Sequence, residues 1–89
     1  MDIRFETRFK KDLQKITANQ SLLQLVQQVI DEIKAAPSIH TLQQMKKMSG
    51  FSNFYRIRIR DYRIGLCIQD EQVTFVRCLH RREIYRYFP

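Results

Sequence analysis

The 89-residue chain has little of what breaks or loosens a backbone: two glycines and two prolines. Beside an apolar fraction of 44%, that scarcity excludes a disordered or linker-like chain, which needs the opposite balance. Long apolar runs are also missing. No window approaches the ~20 residues of a membrane-crossing helix, and Met1-Asp2-Ile3-Arg4-Phe5 lacks the apolar stretch of a signal peptide. A cytoplasmic protein with no membrane partner is expected. The two cysteines, Cys67 and Cys78, have no metal-ligand spacing, so two reduced, half-buried thiols are expected, with no metal and no cofactor. Neither a Ser-His-Asp arrangement nor a phosphate-cradling glycine loop nor a carboxylate pair stands out.

Acids are scarcest where bases are densest. The whole chain carries +7, and residues 55–89 hold eight arginines, no lysine and only four acids. Lysine would serve as well for a merely solubilising surface. Arginine adds a planar fork that fits phosphate oxygens, so a polyanion is the expected partner.

Hydrophobic spacing divides the chain into recognisable elements. Ile3 and Phe5 share one side of a short strand over residues 2–6. Phe9, Leu13 and Ile16 recur at helical spacing, predicting a helix over 7–17 with Lys10, Lys11 and Lys15 exposed. Asn19 or Ser21 caps a second helix, whose Leu22, Leu25, Val26, Val29, Ile30 and Ile33 form one stripe until Pro37 ends it. The two helices read as an antiparallel hairpin. Residues 39–50 form a connector containing Lys46 and Lys47. Three strands follow, at 54–59, 62–69 and 72–79, joined so tightly that they must form an antiparallel meander. The tail, 80–89, is expected to form a short helical turn. The expected fold is α+β, one domain over 1–89, with the meander forming one sheet and the helices on one face.

Residues 55–66 alternate apolar and cationic side chains, turn at Arg60-Asp61, and resume the alternation. A two-residue turn there pairs Ile59 with Tyr62, Arg58 with Arg63 and Arg56 with Gly65. Tyr55, Ile57, Ile59, Tyr62, Ile64, Leu66 and Ile68 then share the buried face, and Arg56, Arg58 and Arg63 share the other. Like charges directly opposite destabilise a sheet, and a bound anion relieves that fault. A second two-residue turn at Asp70-Glu71 places Cys67 opposite Thr74, Cys78 opposite Arg63, and His80 beside Asp61 at the arginine end. His80-Arg81-Arg82-Glu83-Ile84-Tyr85 should fold back over that end. Its histidine and tyrosine can relay protons, and its arginines can neutralise a phosphoryl group. Arg77 falls on the apolar-face register, so a sheet edge or a helix acid is its expected partner, not the chemistry. Lys46 and Lys47 fit a solvated connector as well as they fit an RNA contact.

These motifs resemble the RelE/ParE superfamily of toxins from type II toxin–antitoxin pairs, and within it the RelE-like branch. The resemblance rests on the leucine–lysine connector, Tyr55-Arg56-Ile57-Arg58-Ile59, Asp61-Tyr62-Arg63-Ile64, and His80-Arg81-Arg82-Glu83-Ile84-Tyr85. It implies a metal-independent, ribosome-dependent mRNA endoribonuclease, in which the 2′-hydroxyl attacks the adjacent phosphate in the ribosomal A site. By that likeness Arg58, Arg63 and Arg81 stabilise the phosphate and Tyr85 orients the base. Arg56, Lys46, Lys47 and Arg82 contact RNA, and a cognate antitoxin forms a hetero-oligomer with the toxin. Many relatives carry lysine where this chain has arginine, and arginine does not give up its proton. His80 is therefore the expected general base. A ParE-like toxin, which poisons DNA gyrase by protein contact without nuclease activity, shares the fold. A non-enzymatic RNA- or ribosome-binding module is the third reading.

Overall fold

The computed structural model describes residues 1–42 and 44–89. In chain order the elements are β1 (Asp2–Phe5), α1 (Thr7–Gln14), α2 (Gln20–Ala35), a 3-10 turn (Ile39–Thr41), β2 (Met45–Lys47), β3 (Phe54–Ile59), β4 (Tyr62–Gln69), β5 (Gln72–His80) and α3 (Ile84–Tyr87). They build one five-stranded mixed sheet in the order β1-β5-β4-β3-β2.

This corrects the expected three-stranded antiparallel sheet in three respects. β1 adds to β5 in parallel, from Asp2 opposite Gln72 to Phe5 opposite Phe75. Part of the expected connector is strand β2, paired with β3 from Met45 opposite Ile57 to Lys47 opposite Tyr55. Within that connector, Gln43 lies outside the described residues. The third correction concerns the helices, which do not all lie on one face: α3 covers the other. Local alternation reports a strand but not its partner, so neither edge pairing could be read from these short segments.

Asn19 caps α2, its side chain accepting the Leu22 amide at 3.1 Å. That choice settles the Asn19-or-Ser21 alternative, while Ser21 donates to Asn19. The chain leaves the helix in an extended conformation at Ala36, before Pro37. α1 stops at Gln14, short of residue 17, because residues 15–18 turn toward the α2 cap. On the sheet face beneath α1 and α2, Ile57, Ile64, Leu66, Val73 and Phe75 pack with Phe9, Leu22, Val26 and Ile33, all essentially inaccessible. Phe5, at the end of β1, is tied in through ring contacts with Phe9 and Phe75 at 5.8 and 5.2 Å.

The first hairpin turns through Arg60, at φ 54°, and Asp61. Arg60 therefore adopts the left-handed conformation that glycine usually fills, and the tight two-residue turn survives. Its guanidinium donates to Ser21 Oγ at 2.9 Å, anchoring the turn to the start of α2. Asp70 and Glu71 both have positive φ, as a type I′ turn requires.

The opposite face holds a smaller core. Met48, Val76, Ile84 and Phe88 are buried there against Phe54, Cys67 and Leu79. Gly65 lets the Phe88 ring lie flat on β4, since a Cβ on Gly65 would stand 2.8 Å from three ring carbons. Among the described residues, no helix is long and apolar enough to cross a membrane.

Candidate active site

Beside the α3-covered core, the same face of the sheet carries a basic field ordered in rows. Lys46, Arg56 and Gly65 form one row across β2, β3 and β4. Arg58, Arg63 and Leu79 form the next across β3, β4 and β5. Cross-strand partners share a face, so Lys46, Arg56, Arg58 and Arg63 stand together. Among the described residues β2 pairs with β3 only as far as Ile57, and Arg58, beyond that pairing, is exposed and borders a cleft toward α2.

Arg63 is the pinned member of the group. Its Nη1 donates to the carbonyl oxygens of Arg60 and Tyr62, both at 2.9 Å. Burial lowers its pKa from the ordinary guanidinium value, and the charges of Arg58, Arg56 and Arg81 push the same way, against an opposing effect of Tyr85. Arginine keeps its proton in proteins, so the consequence is a concentration of uncompensated positive charge rather than a base. Arg81 follows β5 directly. Its amide donates to the Asp61 carbonyl at 2.7 Å, and its Nε lies 3.9 Å from the Asp61 carboxylate, with both side chains open to water. Tyr85 stands on α3, anchored by the buried Ile84 before it, with its own side chain 62% exposed.

The structure removes His80 from this group. A β-bulge on β5, opposite Gly65 and Leu66, inserts Val76 and shifts every later pairing by one residue. Cys78 therefore faces Ile64 instead of Arg63, and His80 faces Tyr62 instead of lying beside Asp61. A one-residue shift also exchanges faces. The His80 ring meets Tyr62 edge-on at 5.6 Å, in a cleft shared with Asp12, Lys15 and Ile16 on the α1 side. Its Nδ1 accepts the Arg82 amide at 3.2 Å. The expected general base is on the wrong side of the sheet.

The same alternation separates the two lysines. Lys47 pairs with Tyr55, whose ring packs toward the helix-covered core, so Lys46 alone joins the arginines. Arg82 is exposed in the turn after β5. Arg77 pairs with a helix acid, one of the two expected alternatives, although the bulge sets it opposite Gly65 and off the expected apolar register. Its Nε and Nη2 donate to Asp12 at 2.8 and 3.0 Å, with the carboxylate 3% exposed. Asp12 Oδ2 also accepts the Cys78 amide at 2.9 Å, satisfying a strand group that β1 does not reach. The bulge turns Cys78 fully into the core, not halfway, and burial reinforced by Asp12 pushes its thiol up to about 12. Cys67 stays half-buried, its thiol pKa raised by burial and then by Glu6.

Two structural determinants of the site were missed at the level of sequence: Gly65, which seats α3, and the bulge. Both left signals. A glycine inside a strand marks close approach of another group. Two adjacent apolar residues, Phe75 and Val76, followed by Arg77 on an apolar register, mark a break in the alternation.

A family model described as ParE toxin of type II toxin–antitoxin system, parDE, matches residues 3–85. Toxin RelE3 of Methanocaldococcus jannaschii is 36% identical over 90 residues, covering 100% of both chains. The crystal structure of the RelB-RelE antitoxin–toxin complex from Methanococcus jannaschii aligns with a TM-score of 0.79 and 34% identity, over 97% of this chain and 99% of that one. The YoeB dimer from Staphylococcus aureus shares the fold at a TM-score of 0.70 and 14% identity, over 90% and 95% of the two chains.

Proposed function

This chain belongs to the ParE toxin family of type II toxin–antitoxin systems, within the RelE/ParE superfamily, and we propose that it cuts messenger RNA on the ribosome. It is a RelE-like toxin of a toxin–antitoxin pair. The observation that carries the nuclease reading is the Arg58–Arg63 rung, flanked by Arg56 and approached by Arg81 and Tyr85.

RNA supplies its own nucleophile in the 2′-hydroxyl, so the protein's tasks are to orient the attack and to stabilise charge on the phosphate. Arg63 is preorganised for the second task by its two backbone hydrogen bonds. Arg58 and Arg81 are exposed and less constrained, which suits a clamp that closes on bound phosphate. Tyr85 offers a ring for orienting the adjoining base. With His80 on the helix side, orientation and charge stabilisation carry the catalysis. Lys46 and Arg56 extend the basic track along the strand.

Solved relatives include toxin–antitoxin complexes, among them YoeB-YefM and DinJ-YafQ. A cognate antitoxin is accordingly this toxin's protein partner, and an acidic segment in it would complement the +7 charge. The description of the matched family model favours a second reading, a ParE-like protein that poisons gyrase and cuts no RNA.

Induced expression in cells, with the ends of messages mapped, separates the two. Codon-phased cuts that disappear in Arg63→Ala and Arg81→Ala variants support the nuclease. DNA damage with intact messages overturns it.

A further inference from the structure

We propose that the cavity between the β2–β3 loop and α3 is a nucleobase subsite, with Phe51 as its stacking platform. The inference rests on reading the arginine face as an RNA site and adds a second contact to it. Phe51 is 46% exposed, yet its ring is held in place. It meets Phe54 edge-on at 5.9 Å, and Phe54 meets Phe88 edge-on at 5.4 Å, over the Gly65 floor. The cavity has a volume of about 300 Å³ and is walled by Met48, Phe51, Tyr85 and Phe88, with Ser49 and Arg86 as polar groups at its lining. Apolar walls with a few convergent polar groups are the usual form of a site for a flat heteroaromatic ring.

Its position relative to the cations selects the occupant. The Met48 amide donates to the Phe54 carbonyl at 2.8 Å, extending the β2–β3 ladder one step past the Lys46–Arg56 row. Strand residues two apart are separated by ~6.6 Å. The cavity therefore opens one row beyond Lys46–Arg56 and two rows beyond Arg58–Arg63. Tyr85 lines it and also acts on the charge of Arg63. Among the described residues the lining, which also includes Pro89, has no acidic side chain, and Arg86 adds a positive one. A strand of phosphates lying along the cationic rows would carry a base to this opening, and stacking there would be tolerant of sequence.

The chain contains no tryptophan, so a Phe51→Trp variant carries a single indole reporter. The ligands are a short 2′-O-methyl oligoribonucleotide, which resists internal attack, and an abasic oligomer with the same phosphates, both end-labelled for anisotropy. The subsite predicts that the base-bearing oligomer quenches the indole while the abasic one binds without quenching. Phe51→Ala should weaken the base-bearing oligomer roughly tenfold and leave the abasic one unchanged. Binding of both without quenching, and with equal affinity in Phe51→Ala, overturns the subsite and leaves the arginine face standing. Binding of neither to the wild type overturns both.

Discussion

Arg58 and Arg63 face one another on a single rung of the β3–β4 ladder, and Arg63 cannot swing away because two backbone carbonyls hold its guanidinium. Two cations at one rung repel, and the half-burial of Arg63 sharpens that repulsion. An anion across the pair removes it.

Inorganic phosphate should therefore raise the thermal midpoint of the wild type at low salt. Arg58→Thr should stabilise the anion-free protein by about 0.2–1 kcal/mol, the range for relieving an unfavourable cross-strand pair, and should respond less to phosphate. Thermal denaturation with and without phosphate measures both effects. An equal phosphate response in the two proteins would place the anion elsewhere.

His80→Gln should cleave at nearly the wild-type rate. A general base contributes on the order of 100-fold or more, so loss of that size would return His80 to the mechanism. The ring's edge-on contact with Tyr62 and its Nδ1 bond to the Arg82 amide give it a structural role at the end of β5.

Asp12→Ala should destabilise the fold by about 3–5 kcal/mol, because it leaves the largely buried guanidinium of Arg77 without its partner. It also strands the Cys78 amide. The joint change Asp12→Leu with Arg77→Met should recover much of the loss, since apolar replacement of both members of a buried pair is often near neutral. Urea unfolding of the three proteins decides this. A loss below ~1 kcal/mol in Asp12→Ala would mean that water solvates Arg77 at the bulge.

Gly65→Ala should lift Phe88 from β4, because the new methyl would meet the ring at 2.8 Å. Overpacking of this kind costs about 1–3 kcal/mol. α3 carries Tyr85, so RNA cleavage should fall as well. Gly65→Ala combined with Phe88→Leu should regain stability, and full stability in the single variant would show that the ring is free to move.

Much of the arginine face was legible in the sequence because one short stretch specifies it. The alternation from Tyr55 to Leu66 and the turn at Arg60-Asp61 define the β3–β4 register, and the observed pairs Ile59–Tyr62, Arg58–Arg63 and Arg56–Gly65 follow from them. The register failed where counting by twos meets the bulge at Val76, and that single inserted residue moved His80 and Cys78 to the other face. The sheet's edges were illegible for another reason. Nothing within Asp2–Phe5 designates β5 as a parallel partner, and Met45–Lys47 is too short for its alternation to stand out from a connector. The docking of the tail was not legible either: Ile84 and Phe88, at the two ends of the α3 turn, bury against the sheet face that Gly65 leaves open.

The most direct measurement is single-turnover cleavage of a message on purified ribosomes, comparing the wild type with Arg63→Ala. The account predicts efficient cutting by the wild type and a loss on the order of 100-fold or more in the variant, the scale for removing one preorganised donor from a charged transition state. Thermal melting should show that the variant remains folded. Undiminished cutting by Arg63→Ala, or no cutting by the wild type, would contradict it.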